Sequence, residues 1–365
     1  MNLNFQFTAH DVWLSQLDDC RAATSSIDLE NWIFADSGIG REFLDVFLKK
    51  AKEGIRVRIL LDMYGSLSMY KNASLLFEFR KSGIEIEFFN PIAFWRLYKL
   101  FSWFSRRDHR KLILVDGRIA HIGSACIDEK MRSWQEASVR VLASEPSELV
   151  PIADAFNYLW HSVKRKTLSR KAFDVPLTPR LNYISSTPHI GKRMIHQALT
   201  RAIRKARESV HLVTPYFVPT ERLQFALFRA LKRGVKVTLL IPENSDPRIV
   251  NLAAYEYARS LVRRGAQVLL YPTMMHSKYA IIDGKIDSDG SSGWGMLGSA
   301  NLDNLSLLSD YEHVVSGTDQ DLIGPLINNF NLLAKNSKPF GDKQMHPPIH
   351  DKLLGLLARP IHRFL

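Results

Sequence analysis

Two octets carry the chemistry this sequence is best equipped to perform. The first is His109-Arg110-Lys111-Leu112-Ile113-Leu114-Val115-Asp116, and the second is His276-Ser277-Lys278-Tyr279-Ala280-Ile281-Ile282-Asp283. Both read H-x-K-x-x-x-x-D and both run on into Gly. Each is followed by a small-residue segment, Gly123-Ser124-Ala125-Cys126 and Gly298-Ser299-Ala300-Asn301. One short pattern is weak evidence. Two copies, each with Gly-Ser-Ala behind it, are far harder to produce by accident. The apolar, β-branched interior of the octet predicts a buried strand. Side chains on a strand alternate faces, so His109 and Lys111 share one face, as do His276 and Lys278. An imidazole beside an ammonium suits an anionic phosphoryl group: one nitrogen attacks while the cation holds oxygens. Asp116 and Asp283 follow their histidines by seven residues, an odd offset that points them the other way. Each precedes Gly at an expected hairpin turn. They belong to the candidate catalytic motif, with the expected role of fixing the strand end more than touching substrate.

This paired motif resembles that of the phospholipase D superfamily, whose hallmark is two His-Lys-Asp motifs. Within it the chain looks most like bacterial cardiolipin synthases. The supporting stretches are Asp108-His109-Arg110-Lys111 with Gly117 and Arg118 after the Asp, Thr214-Pro215-Tyr216-Phe217-Val218-Pro219, Arg233-Gly234-Val235-Lys236-Val237, and Gly298-Ser299-Ala300-Asn301-Leu302-Asp303. The resemblance spans roughly residues 20 to 335. It implies a two-step phosphatidyl transfer. His109 attacks the phosphodiester and forms a phosphohistidine; His276 protonates the leaving alcohol, then deprotonates the incoming alcohol or water. The choice of His109 as nucleophile rests on the resemblance, because the two motifs are nearly symmetric. Lys111 and Lys278 are expected to hold the non-bridging oxygens, and Ser124, Ser299 and Asn301 to add hydrogen bonds to substrate.

Glu136 lies 13 residues after Gly123, and Glu312 lies 14 after Gly298. Equivalent places in the two repeats, and the family resemblance, make them the expected acceptors for the histidine Nδ1 hydrogens. The alternative is two surface glutamates on strands. The family usually has Asn where this chain has Cys126. A thiol is a poorer donor to phosphate than an amide, so either Asn301 suffices or the first half-site is weakened. Cys126 itself is expected to be buried and inert. No metal or other cofactor is expected, since two lysines supply the charge and no Cys/His cluster has zinc spacing.

The elements that must position these groups follow one order twice. In the first half, a helix is expected over Asp11 to Ala23 inside an entry segment of residues 1 to 24. Then come a strand over Ser26 to Phe34, a helix over Gly40 to Lys52 ended by Gly54, a strand over Arg56 to Leu61, a helix over Ala73 to Lys81 stopped by Gly83, and a strand over Ile84 to Phe89. In the second half, a strand over Val210 to Thr214 precedes a Thr220-capped helix to Lys232. Gly234 ends it, and Val235 to Ile241 is a strand. A helix over 247 to 263 and a strand over Gln267 to Leu270 complete the order. A repeat this long is a duplicated domain rather than a solenoid. The expected fold class is α/β: two similar phospholipase D-like α/β domains, each a mixed sheet flanked by helices, packed around a shared active-site cleft. The boundaries read as 1–166 for the first domain, 167–182 for a linker, 183–340 for the second domain and 341–365 for a basic amphipathic tail.

Two insertions break the symmetry. Seventeen residues separate Pro91 from His109, but three separate Pro272 from His276. The longer insert carries Trp95, Phe101, Trp103 and Arg106 among other aromatic, leucine and basic residues. Such a segment suits the headgroup region of an anionic membrane; a buried lid over the site is the competing reading. The Gly/Ser/Asp-rich stretch from Ile286 to Gly295 reads as a solvated hairpin tip. The tail either anchors to a surface or packs on the body.

Composition bounds the partners. Of 365 residues, 46% are hydrophobic and 24% charged, with a net charge of +12. A basic protein prefers anionic partners, and the aromatic insert favours lipid over nucleic acid. No stretch approaches the ~18 apolar residues of a membrane span, and the N-terminus does not read as a signal peptide. Two cysteines, Cys20 and Cys126, form no disulfide framework and fit a reducing compartment. The expected protein is peripheral on the cytoplasmic face of the cell membrane and contacts anionic phospholipid, with its oligomeric state left open. The leading activity is cardiolipin formation from two phosphatidylglycerol molecules with release of glycerol. A lipid-hydrolysing phospholipase D, a metal-independent nuclease and a membrane-bound scaffold with a degraded site are the alternatives.

Overall fold

The computed structural model describes residues 1–91, 106–167, 169–189, 193–245, 248–284 and 293–348. The chain opens with strand β1 (Asn2–Thr8), which runs into helix α1 (Ala9–Ala22). There the structure departs from the expected entry segment. Leu3, Phe5 and Phe7 alternate with Asn2, Asn4 and Gln6, a strand pattern, and β1 pairs antiparallel with β7 (Gln135–Leu142). Thr8 Oγ1 caps α1 by accepting the Asp11 N–H at 3.2 Å. Between them come β2 (Ser26–Asn31), α2 (Ile39–Lys52), β3 (Arg56–Asp62), α3 (Leu67–Lys71), α4 (Ala73–Lys81), β4 (Glu85–Phe89), β5 (Leu112–Val115) and β6 (Ile119–Gly123). Helix α5 (Val150–Lys164) closes the repeat. The sheet order is β1-β7-β6-β5-β2-β3-β4. Strands β2, β3 and β4 are parallel, and β5, β6, β7 and β1 run as antiparallel neighbours.

The second repeat reuses this plan. Its elements are β8 (Phe173–Thr178), β9 (Leu181–Ser186), α6 (Met194–Lys205), β10 (Ser209–Val213), β11 (Phe217–Val218), α7 (Glu221–Lys232), β12 (Lys236–Pro242), α8 (Arg248–Val262), β13 (Gln267–Tyr271), β14 (Tyr279–Ile282), β15 (Trp294–Gly298), β16 (Leu302–Asp303), α9 (Asn304–Leu308), β17 (Glu312–Gly317), α10 (Gln320–Lys335) and β18 (Lys338–Pro339). The nine-stranded order is β18-β13-β12-β10-β14-β15-β17-β9-β8, so β9 holds the place of β1. The stretch 167–182, expected to be a linker, contains β8 and the start of β9. It is part of the second sheet. Pro176 masks the strand pattern, but β8 is an edge strand, where the missing N–H of Pro is tolerated. Trp294 and Gly295, expected in a loop tip, belong to β15.

Strand alternation divides the core. Ile113 and Val115 of β5 face the outer layer built by α1 and α2. Leu112 and Leu114 face inward, into one cluster that also holds Val139 of β7, Leu297 of β15, Val315 of β17 and Tyr279 of β14. The two sheets therefore meet through a continuous apolar layer. A separate cluster lies beneath α6, α7 and α8. Of the tail, Asp342–Met345 forms a helical turn whose Gln344 carbonyl accepts from Arg259 Nη1 at 2.6 Å; residues 349–365 lie outside the described residues. Among those described, no helix is long and apolar enough to cross a membrane.

Candidate active site

The two motifs are locked together by the backbone before any side chain is considered. The His109 N–H donates to the Tyr311 carbonyl at 3.0 Å, and the His276 N–H donates to the Gln135 carbonyl at 2.6 Å. Tyr311 and Gln135 immediately precede Glu312 and Glu136. Each histidine is thus registered against the glutamate strand of the other repeat. The consequence is a crossed pairing. His109 Nδ1 lies 2.8 Å from Glu312 Oε1, and His276 Nδ1 lies 3.0 Å from Glu136 Oε1. With a carboxylate accepting at Nδ1, the hydrogen sits there and Nε2 keeps its lone pair.

All the charged groups of the site are buried. The His109 and His276 side chains are 12% and 8% exposed, while both glutamates are 0% exposed. Lys111 Nζ donates to the His109 carbonyl at 2.5 Å, and Lys278 Nζ to the His276 carbonyl at 2.8 Å. Both lysines act on both rings. Burial, then the charges of Lys111, Lys278 and His276, holds His109 well below the usual imidazole range. Burial lowers His276 to about 4, with Lys278 and Lys111 adding to the shift against the opposing pull of Glu136. Burial, with the charge of Lys111, also pushes Lys278 down to about 7, Glu136 opposing. Two buried lysines that depress both imidazoles give the site the positive potential that suits a phosphate group.

The two carboxylates differ. Burial raises Glu312 to about 7, against the opposing pull of Lys111, Ser299 and Ser306. Burial works the same way on Glu136, but the charge and hydrogen bond of His276, with Lys278 and Ser124, outweigh it and leave Glu136 below the usual carboxylate range. Crossed pairing therefore leaves His276 beside the firmly ionised carboxylate and His109 beside the one that titrates near neutrality.

Other expected site residues lie elsewhere or do something else. Asp116 and Asp283 sit at the far ends of β5 and β14, about 20 Å of extended chain from their histidines. Both adopt positive φ, 53° and 49°. Asp116 accepts the backbone N–H groups of Thr24, Ser25 and Ser26 at 2.7–2.8 Å, and Asp283 those of Arg207, Glu208 and Ser209 at 2.8–2.9 Å. Each ties its hairpin to the turn before β2 or β10, a role at the strand end rather than at the histidines. Ser124 and Ser299, expected on substrate, are fully buried and donate to Glu136 Oε2 and Glu312 Oε2. They orient the glutamates. Asn301 is buried, and its backbone N–H donates to Ser306 Oγ at 2.7 Å. Cys126 is buried and its thiol is raised, chiefly by burial. Arg106 is half-buried, and its carbonyl accepts from Asn90 Nδ2 at 3.0 Å. Trp95, Phe101 and Trp103 lie outside the described residues.

Several participants carry little or no signal in the sequence. Trp32 stands 5.7 Å from the His109 ring, and Trp134 stands 5.6 Å from that of His276. Both come from the first repeat, so repeat symmetry could not reveal them. Ser306 donates to Glu312 Oε1; its three-residue spacing from the helix cap Asp303 is the one local clue. His313 is buried, with Nε2 3.1 Å from the Lys111 carbonyl and Nδ1 3.3 Å from Tyr183 Oη. Arg107 meets Asp62 at 3.2 Å and donates its N–H to Asp310 at 3.0 Å, a bridge between repeats.

Two mixed sheets of matching strand order, joined so that each repeat orients the other's histidine, define a two-repeat phospholipase D-type fold. Among solved structures, phosphatidylserine synthase from Haemophilus influenzae Rd KW20 matches with a TM-score of 0.77 at 13% identity, covering 100% of this chain and 95% of its own. Polyphosphate kinase from Porphyromonas gingivalis matches at 0.59 and 15% identity, over 91% and 50%. These likenesses concern the fold. A family model described as "Cardiolipin synthase, PLD-like domain" matches residues 17–160 and 199–334, and the chain belongs to that family. Curated relatives include cardiolipin synthase of Oceanobacillus iheyensis, 29% identical over 88% of this chain and 66% of its own. Cardiolipin synthase of Halalkalibacterium halodurans is 30% identical over 76% and 56%. The chain thus spans about two thirds or less of the length of these relatives.

Proposed function

We propose that the protein transfers a phosphatidyl group through a phosphohistidine and makes cardiolipin from two phosphatidylglycerol molecules. The observation that carries this reading is the crossed His–Glu pairing with both lysines acting on both rings. His109, held neutral, uses its Nε2 lone pair to attack phosphorus. The bond from phosphorus to the glycerol headgroup breaks, and His276 delivers a proton to that leaving oxygen. Free His276 is neutral; once the substrate phosphate offsets Lys111 and Lys278, ionised Glu136 favours uptake of a solvent proton at His276 Nε2, and that proton is the one delivered to the leaving oxygen. A second phosphatidylglycerol then gives its hydroxyl proton to His276 and attacks the phosphohistidine. The P–N bond breaks, leaving cardiolipin and free His109. Lys111 and Lys278 neutralise the non-bridging oxygens in each step. Peripheral contact with the anionic cytoplasmic leaflet would supply both lipids. The names of the relatives support the substrate class.

The test is a product assay on phosphatidylglycerol vesicles. Cardiolipin with stoichiometric free glycerol is expected. Phosphatidic acid alone would replace transfer by hydrolysis, and cleavage of DNA without lipid turnover would replace both by a nuclease. Rapid-quench trapping with labelled lipid should leave label on His276→Asn protein and none on His109→Asn protein. The reverse pattern would exchange the two roles.

A further inference from the structure

A second charged cleft lies in the second repeat, outside the catalytic groups. It has a volume of about 1000 Å³, and its lining includes Arg193, His196, Arg222, Arg264, Phe228 and Asn304. His109, Lys111, His276 and Lys278 are not among its walls. Two carboxylates also face it. Glu256 is paired with Arg259, and Glu221 sits in the first turn of α7.

The first repeat shows what this place is built to hold. The amides of 24–26 bound by Asp116, and those of 207–209 bound by Asp283, fix which residues correspond. By that match His196 stands where the first repeat has Trp13, and Arg193 where it has His10. Counting from the two Gly-Ser-Ala segments puts Asn304 where the first repeat has Glu129. In the first repeat the space is filled. The Trp13 indole is fully buried, with Nε1 donating to the Cys126 carbonyl at 2.8 Å. Arg132 lies 5.7 Å from the Trp13 ring centre and pairs with Glu129. The Glu129 carboxylate accepts the Ile39 N–H at 3.0 Å, at the start of α2. Here the fold carries its own anion.

The second repeat has lost every part of that plug. The indole is replaced by a smaller imidazole, the carboxylate by a neutral amide, and a cleft opens beside the corresponding helix α7. Arginines line the cleft instead. Arg193 Nε donates to the Leu308 carbonyl at 3.1 Å. Arg264 stacks 3.9 Å from the Phe228 ring centre. Arg222 is exposed, with no ion-pair partner among the described residues. His196 is 5% exposed, with Nε2 2.8 Å from Thr220 Oγ1. Burial first, then Arg222, Arg193 and Arg204, lowers its imidazole to about 4.

We propose that this cleft is a second anion site, taking the phosphate of a phosphomonoester or phosphodiester headgroup that does not itself react. Arginine forks suit phosphate oxygens, and the volume admits a glycerophosphate-sized group. The site goes beyond the proposed reaction and does not require it.

The His196 ring is the local reporter, since the catalytic lysines also bind phosphate. Its NMR resonances are followed while the protein is titrated with sn-glycerol 3-phosphate. A bound anion offsets the arginines, so the His196 pKa should rise. Asn304→Glu, which restores the carboxylate of the first repeat, should weaken the response about tenfold or more, as should Arg222→Glu. Thermal unfolding of both variants is compared with the parent to verify folding. A parallel arm measures sedimentation with phosphatidylcholine vesicles with and without phosphatidylglycerol. Loss of phosphatidylglycerol-dependent binding in both variants assigns the phosphate to a lipid headgroup. A His196 response with unchanged vesicle binding assigns it to a soluble phosphate ester. A His196 ring indifferent to glycerol phosphate, or an Asn304→Glu protein that responds like the parent, overturns the proposal.

Discussion

Glu136 and Glu312 are held by different numbers of hydroxyls. Among the described residues Ser124 supplies the one hydroxyl to Glu136, whereas Ser299 and Ser306 both donate hydroxyl hydrogens to Glu312. Removing one hydroxyl should therefore cost more on the Glu136 side. Ser124→Ala is expected to lower kcat about tenfold, the worth of one charge-assisted hydrogen bond. Ser299→Ala should cost visibly less, because Ser306 remains; equal losses in steady-state kinetics would contradict this. His276 gives a pH prediction. Its folded pKa, about 4, lies below the ~6.5 of an unfolded histidine. Below pH 6.5 the unfolded chain takes up a proton that the folded one refuses, so the wild type loses stability as pH falls toward 4. His276→Asn removes that linkage. Relative to the variant, the wild type should lose on the order of 3 kcal/mol between pH 6.5 and 4 in urea titrations. The His and Lys pairs and both glutamates were legible from spacing. The crossed pairing was not, because nothing local to Glu312 names the histidine 203 residues away.

At the scale of the element, the hairpin of β5 and β6 shows how a motif residue serves chemistry from a distance. Asp116 closes its turn and clamps the start of β2 through three amides and two hydroxyls. The amides of Ser26, Thr24 and Ser25 hold the carboxyl down to about 2 despite some burial. Asp116→Ala should cost about 1–3 kcal/mol and lower Tm, while the folded fraction keeps its kcat. Since the folded pKa is depressed, this contribution is full above pH ~4 and fades as pH falls through about 2. A kcat collapse in folded protein would return Asp116 to the catalytic set. Helices and parallel strands were legible from apolar periodicity and from Gly54, Gly83, Gly234 and Gly265, all with positive φ. Edge strands were not. β1 and β8 are half-solvated, and in Phe173–Thr178 a Pro and an Asp mask the alternation.

For the whole molecule, the apolar layer between the sheets fixes the geometry of the site. Leu297 and Val139 are fully buried in it. Leu297→Ala should destabilise by about 2–5 kcal/mol through the cavity it leaves. It should also lower kcat in protein that remains folded, because the Tyr311–His109 and Gln135–His276 backbone contacts depend on how the sheets seat. An unfolding shift with full activity would show that the contacts tolerate a looser interface. The duplicated plan was readable from paired motifs and repeated element order; which faces meet was not, since it depends on the register of strands far apart in sequence.

The seam between Lys166 and Phe173 joins the end of α5 to an edge strand, and neither histidine–glutamate bond runs through it. A chain severed there would keep both bonds so long as its halves stayed associated. Two co-expressed fragments should therefore restore turnover that neither supplies by itself, because each would bring the base its counterpart lacks.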